Sequence, residues 1–289
     1  MTRAAAGVAA VAGLAIVAAW LRVAPDWVGG LVASMGPAAG EALFNLLIFT
    51  PMLVLGIIGA WLGGGAIWPR GGKGRSVRTG LLCGGGGLAL AIAYAATAGV
   101  LHPGQSGGIG AVWLLGIVTI AVQVIAEEAV FRGWLQPVAQ RWLGAWVAVP
   151  LVALIFAGLH IWVQGGHLIA LGNMALGGLL FGLLAWRERG ISGAVAAHLT
   201  WNAGEQLVLG LDPNPGIGGF GAILDLELAG APLWSGGEAG LNASLAMSFA
   251  LVTVLLALSA AMRGLSGRSP TSAAGPMPVS AHRSSRRPG

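Results

Sequence analysis

The sequence predicts an all-α polytopic membrane protein of about eight transmembrane helices, with the N- and C-termini cytoplasmic. Three observations carry that expectation: the scarcity of charge, the length of the apolar runs, and the placement of Lys and Arg. Of 289 residues, 56% are hydrophobic and 9% charged, with a mean hydropathy of +0.82. Soluble domains carry about 25% charged residues, so an ordinary soluble fold is excluded. A membrane crossing takes about 20 apolar residues, and only helices or closed barrels satisfy their own backbone there. The apolar runs are continuous and do not alternate, which selects helices.

The expected spans are 4–21, 43–68, 80–100, 111–136, 147–163, 167–186, 191–209 and 241–262. The first follows Arg3, as a signal peptide would, yet it is longer than the usual apolar region of one. Trp20-Leu21-Arg22 is also a poor small-residue cleavage site, so the span is expected to be retained. The charges test the layout. With the N-terminus inside, one side holds Arg3, Arg70, Lys73, Arg75, Arg78, Arg132, Arg141, Arg187, Arg189, Arg263, Arg268, Arg283, Arg286 and Arg287. Only Arg22 of the 15 Lys and Arg falls outside. The 210–240 segment carries Asp212, Asp225, Glu227 and Glu238 without a Lys or Arg. Asymmetry of Lys and Arg sets orientation, and a bacterial inner membrane is the expected location.

The net charge of +5 is spread over short loops and a tail, which reads as topology and not as a nucleic-acid surface. The single cysteine, Cys83, excludes an internal disulfide or a cysteine metal cluster. The chain divides into three N-terminal spans (1–109), a four-span core (110–206), an outer loop with the last span (207–263), and a basic tail (264–289) expected to be disordered. Residues 69–79 read as a short basic loop. Gly178 and Gly182 suit close helix packing. No inverted repeat of the transporter kind is present.

Ionisable groups inside spans cost about 2.5–3.5 kcal/mol each, and here they gather in the core. Glu128 and Arg132 are four apart and can pair along a helix. Glu127 lies about 100° round the helix from Glu128, which leaves it free as a general base. His198 and Asn202 repeat the four-residue spacing, with Glu205 on roughly the same side. His160, after Phe156, adds an imidazole from another span. Glu127, His160 and His198 could hold zinc with an open position for water. Alternatively, Glu127 and His160 deprotonate water directly, while His198 and Asn202 donate to an oxyanion. Spacing leaves both open.

Each residue also has a plainer reading. An intramembrane His is often a packing residue, and a Glu pair at a span's end is often solvated. Trp134, Trp142 and Trp146 read as interface anchors, and Glu205 as either a supporting or a solvated group. His102, His167 and His282 fall in loops or the tail and are not expected to do chemistry. The joint occurrence of three spaced pairs on three spans favours a site.

Glu-Glu-x-x-x-Arg at 127–132, Phe-x-x-x-His at 156–160 and His-x-x-x-Asn at 198–202 resemble the motifs of the CPBP family. That family comprises the CAAX-protease and bacteriocin-processing enzymes and includes the Ras-converting endopeptidase. The resemblance covers residues 110–206. It implies an intramembrane endopeptidase acting on a membrane-associated protein or peptide. Glu127 would activate water with His160, His198 and Asn202 would stabilise the oxyanion, and Glu128, Arg132 and Phe156 would support the site. A metalloprotease reading would place zinc on Glu127, His160 and His198. The metal-free route is favoured because Asn202 is a natural oxyanion donor and a poor zinc ligand. The competing functions are a proton-coupled carrier and a non-catalytic scaffold or immunity protein of the same fold. One difficulty concerns depth. Starting the fifth span at Pro150, with 137–147 along the interface, would bring His160 level with Glu127.

Overall fold

The computed structural model describes residues 1–65, 67, 73–105, 108–162 and 166–266. The expected tail from 267 onward, with His282 and four of its arginines, lies outside the described residues, as does Arg70. Ten α-helices account for most of the described chain: α1 (Arg3–Val32), α2 (Pro37–Gly63), α3 (Lys73–Thr97), α4 (Val112–Glu128), α5 (Gln136–Leu143), α6 (Ala145–Leu159), α7 (Leu168–Glu188), α8 (Ser192–Ala203), α9 (Pro232–Ser235) and α10 (Leu245–Ser266). π-Helices at Ala129–Leu135 and Gly204–Leu209 extend α4 and α8, and 3-10 turns occupy His160–Trp162 and Gly237–Ala243.

Among the described residues, seven helical runs are long and apolar enough to cross a membrane. The chain is thus a multi-pass membrane protein built from helices. The expected span at 191–209 is helical, from Ser192 to Leu209, but is not one of those seven. His198, Asn202, Glu205 and Gln206 dilute its apolar content, as functional residues do when they break a local pattern.

Several boundaries differ from the sequence reading. α1 runs to Val32, well past residue 21, carrying Pro25 inside it. α3 starts at Lys73, so Arg75 and Arg78 belong to a helix and not to the basic loop. The fourth span continues through the π-helix into α5, making one run, Val112–Leu143. The next helix begins at Ala145, directly after Gly144 at φ 72°, and keeps Pro150 in its interior. The expected start at Pro150 and the interfacial strip at 137–147 are therefore replaced by two helices meeting at a glycine corner.

The most apolar stretch of the run 112–143 is 56% buried, the highest share for any of the seven, which puts this run at the centre of the bundle. α2 packs along α4 and the π-helix, α3 along α8, and α6 along α7. Trp134 is 3% exposed and fills the space between α1, α2 and the π-helix. A Cβ on Gly13 or Gly59 would run into its ring. The anchor role expected of Trp134 is thus overturned: glycines on two helices make a slot that buries it. Trp142 and Trp146 are exposed, as expected. Similarly, a Cβ on Gly80 or Gly84 of α3 would strike the backbone of Gly193 or Ala197 on α8, so small residues set this contact distance.

The segments 98–111 and 210–231 contain short strands. β1 (Leu101–Pro103) pairs antiparallel with β4 (Leu226–Leu228), and β2 (Gly108–Ile109) with β3 (Gly221–Ala222). The two loops are thereby stitched together. Phe220 tucks under them beside Gly116, Ile120 and Leu207. Residues 1–255 form one compact unit.

Candidate active site

The site grows out of the end of α4. Glu127 and Glu128 close that helix, and the π-helix begins at Ala129. Its widened turn is visible in the Gln136 amide, which donates back to Phe131. π-Turns of this kind recur at functional positions. Arg132, 2% exposed, donates from Nη1 to Glu128 Oε1 at 3.2 Å and from Nη2 to the Gly178 carbonyl at 3.0 Å. One turn later, Gln136 donates to the Gly182 carbonyl at 3.0 Å. Two side chains four apart thus grip two carbonyls four apart on α7. Gly178 and Gly182 permit that approach, since a Cβ on Gly182 would sit 2.8 Å from the Gln136 oxygen.

Glu128 has a second partner. His198 on α8 donates from Nδ1 to the same oxygen, Glu128 Oε1, at 2.9 Å. That bond turns Nε2 toward Glu127, whose Oε2 is 3.8 Å away. The distance is too long for a hydrogen bond. Phe181 stacks on the His198 ring at 4.5 Å and 16°, fixing its plane. Glu127 itself receives Gln123 Nε2 at 3.4 Å from one turn back.

His160 starts the 3-10 turn at the end of α6, and its Nδ1 lies 2.8 Å from the Phe156 carbonyl. An acceptor there requires Nδ1 to carry the proton, which leaves Nε2 available to accept. Phe156 lies between the two imidazoles, 4.5 Å from His160 and 6.4 Å from His198 by ring centroids. Its face also meets the Arg132 guanidinium at 4.5 Å, a cation–π contact.

Glu127, Phe156, His160, His198 and Asn202 line one cavity of about 270 Å³. Its far end takes polar groups from Glu205, Gln206, Asp212 and Asn242. Glu205 is buried and accepts from the Trp201 indole at 3.1 Å, so the solvated alternative for it does not hold. Burial pushes the Asp212 carboxyl above its ordinary range. Sequence reading missed Gln123, Asn173, Phe181 and Gln206. Gln123 could have been found as the polar residue one helical turn before Glu127, and Asn173 as the isolated polar residue of its span. Asn173 ties α7 to the Asn242 and Ser244 carbonyls and receives Ser248. Gln206 reaches back to Glu41 on α2, which also accepts from the Gly219 amide. Of the remaining histidines, His102 sits in β1 and His167 precedes α7, both outside the cavity.

The residues matched by a known family bracket this site. Residues 109–204 match the family described as type II CAAX prenyl endopeptidase Rce1-like. This segment, about a third of the chain, is similar to that family. No curated protein and no solved structure matches the chain. The matched segment spans α4 to the end of α8 and contains Glu127, His160, His198 and Asn202. The family is one of membrane proteases, which agrees with a polar cavity enclosed by apolar helices. A zinc ion would draw on Glu127, His160 and His198. Among the described residues, no three His, Cys, Asp or Glu side chains are grouped to hold a metal.

Proposed function

We propose that the protein is an intramembrane endopeptidase of the CAAX-protease type. It would hydrolyse a peptide bond in a membrane-associated protein or peptide, in a bacterial inner membrane. The observation that carries this reading is the convergence of Glu127, His160, His198 and Asn202 on one cavity inside the matched segment.

Glu127 acts as the base. His160 lines the same cavity with its Nδ1 committed to Phe156, and its Nε2 would share the water held by the Glu127 carboxylate. Glu127 takes one water proton as the oxygen adds to the scissile carbonyl, and delivers it to the leaving amine. The developing oxyanion is met by Asn202 and by His198. His198 donates through Nδ1 to Glu128, which aims Nε2 at the place where the oxyanion would form. Donors fixed before the reaction cost little to reorganise, and Glu128 with Phe181 supplies that fixing. Arg132 balances the Glu128 charge.

Glu127→Gln, made in protein that inserts and purifies normally, should lower processing of a co-expressed membrane substrate by about 10²–10⁴-fold. Undiminished processing would remove the peptidase reading from this cavity. This mechanism uses no metal. About one zinc per purified active chain, with activity lost on chelation, would overturn that part alone.

A further inference from the structure

A second polar recess, sharing no lining residue with the catalytic cavity, lies among the π-helix, α5 and the end of α7. Its volume is about 330 Å³, and its polar lining is Arg132, Gln136, Gln140, Arg141 and Arg189, with Trp186 beside them. Among the described residues, no acidic side chain lines it. Three buried atoms of these residues have no hydrogen-bond partner among the described residues: Arg132 Nε, Gln136 Oε1 and Gln140 Nε2. Arg132 and Gln136 are 2% and 1% exposed, so those atoms are costly to leave unsatisfied. Arg189 adds an oddity of backbone. At φ 52° it is the one non-glycine residue described with positive φ, a conformation that L residues adopt at a cost and that clusters at functional places.

Residues typical of a membrane boundary lie close to the recess. Trp142 and Trp146 are exposed nearby in sequence, and Trp146 packs edge-on to Trp186 at 5.2 Å; indoles collect at head-group level. Arginines set between helix ends on the basic side of a membrane protein are suited to lipid phosphates. α5 serves two surfaces. Gln136, Gln140 and Arg141 line the recess, while Val138, Ala139 and Trp142 line an apolar groove of about 760 Å³ shared with α1 and α6.

We infer that this recess binds the phosphate of an anionic phospholipid. The phosphate oxygens would meet Arg189, Arg132 Nε and Gln140 Nε2, while Arg141, whose guanidinium donates to the Gly63 and Gly64 carbonyls, adds its charge. Gln136 Oε1 is left as an acceptor for a head-group hydroxyl. The indoles beside the recess favour a lipid over a free phosphate as the source of that phosphate.

The test uses the full chain, stripped of lipid in detergent and titrated with phosphatidylglycerol or phosphatidylcholine. Native mass spectrometry counts bound lipid and thermal unfolding follows stability. Phosphatidylglycerol should be retained about tenfold better than phosphatidylcholine and should alone raise the unfolding temperature. Arg189→Asn keeps a residue that tolerates the left-handed backbone and removes the charge. It should weaken retention about tenfold, the loss of one charge-assisted hydrogen bond. Gln140→Leu asks the same question without touching that backbone, and should also weaken retention. Equal retention of the two lipids, or unchanged retention in both variants, would overturn the site. Inorganic phosphate reproducing the whole thermal shift would overturn its assignment to a lipid.

Discussion

Glu128 Oε1 is shared by two donors from different parts of the chain, Arg132 Nη1 at 3.2 Å and His198 Nδ1 at 2.9 Å. The pairing of Glu128 with Arg132 would alone make it a structural residue. The contact with His198 makes it the link between a buried ion pair and the candidate reaction centre.

Glu128→Gln therefore carries two costs. Arg132 loses its charge partner while fully buried, which costs about 3–5 kcal/mol of stability. His198 loses its orienting acceptor, which should lower activity at least about a hundredfold. Denaturant unfolding in detergent and substrate processing read the two separately. Glu127→Gln should affect only the second, so equal unfolding midpoints for the two variants would contradict the division of roles.

Asn202→Ala tests the other donor. Asn202 lines the cavity one turn beyond His198, where a side-chain amide can meet the oxyanion. Its loss should lower kcat about 10²–10³-fold with KM little changed. A rise in KM at constant kcat would assign Asn202 to ground-state binding instead.

The Trp134 slot predicts a stability effect far from the chemistry. Gly59→Ala forces a methyl group into the indole, and overpacking of this kind costs about 1–3 kcal/mol. Trp134→Phe should relieve much of the penalty in the double variant. Additive losses would show that the contact does not set the α2 position.

The topology also has a direct test. If the polar helix Ser192–Leu209 crosses the membrane with the seven apolar ones, reporters fused at the two ends of the chain should report the same, cytoplasmic, side. Reporters on opposite sides would mean that this helix does not cross, and would revise the sidedness read from the arginines.

Much of this was legible in the sequence because it was local. The Glu128–Arg132 pair follows from four-residue spacing, and the membrane class from composition. The family-matched segment coincides closely with the stretch whose three motifs resemble it. What escaped was tertiary. Nothing in spacing says that His198 shares Glu128's oxygen, or that Phe181 stacks on the ring. Trp134 was misread because an amphipathic indole suits either a lipid interface or a buried slot. Gly59 and Gly63, one turn apart on α2 and both against that ring, were the clue. The short strands were invisible because two- and three-residue pairings leave no periodic pattern.

The π-helix at Ala129–Leu135 has a consequence for how such a chain can change. A wide turn holds about one residue more than the α-helix it interrupts. Closing that turn into regular α geometry at unchanged length would leave Glu127 in place but swing everything beyond by about 100°. Gln136 and Arg141 would leave the recess and Val138 and Trp142 would turn toward it. A one-residue deletion within the turn would instead take up the extra residue and keep the two ends of the helix in phase with their separate neighbours.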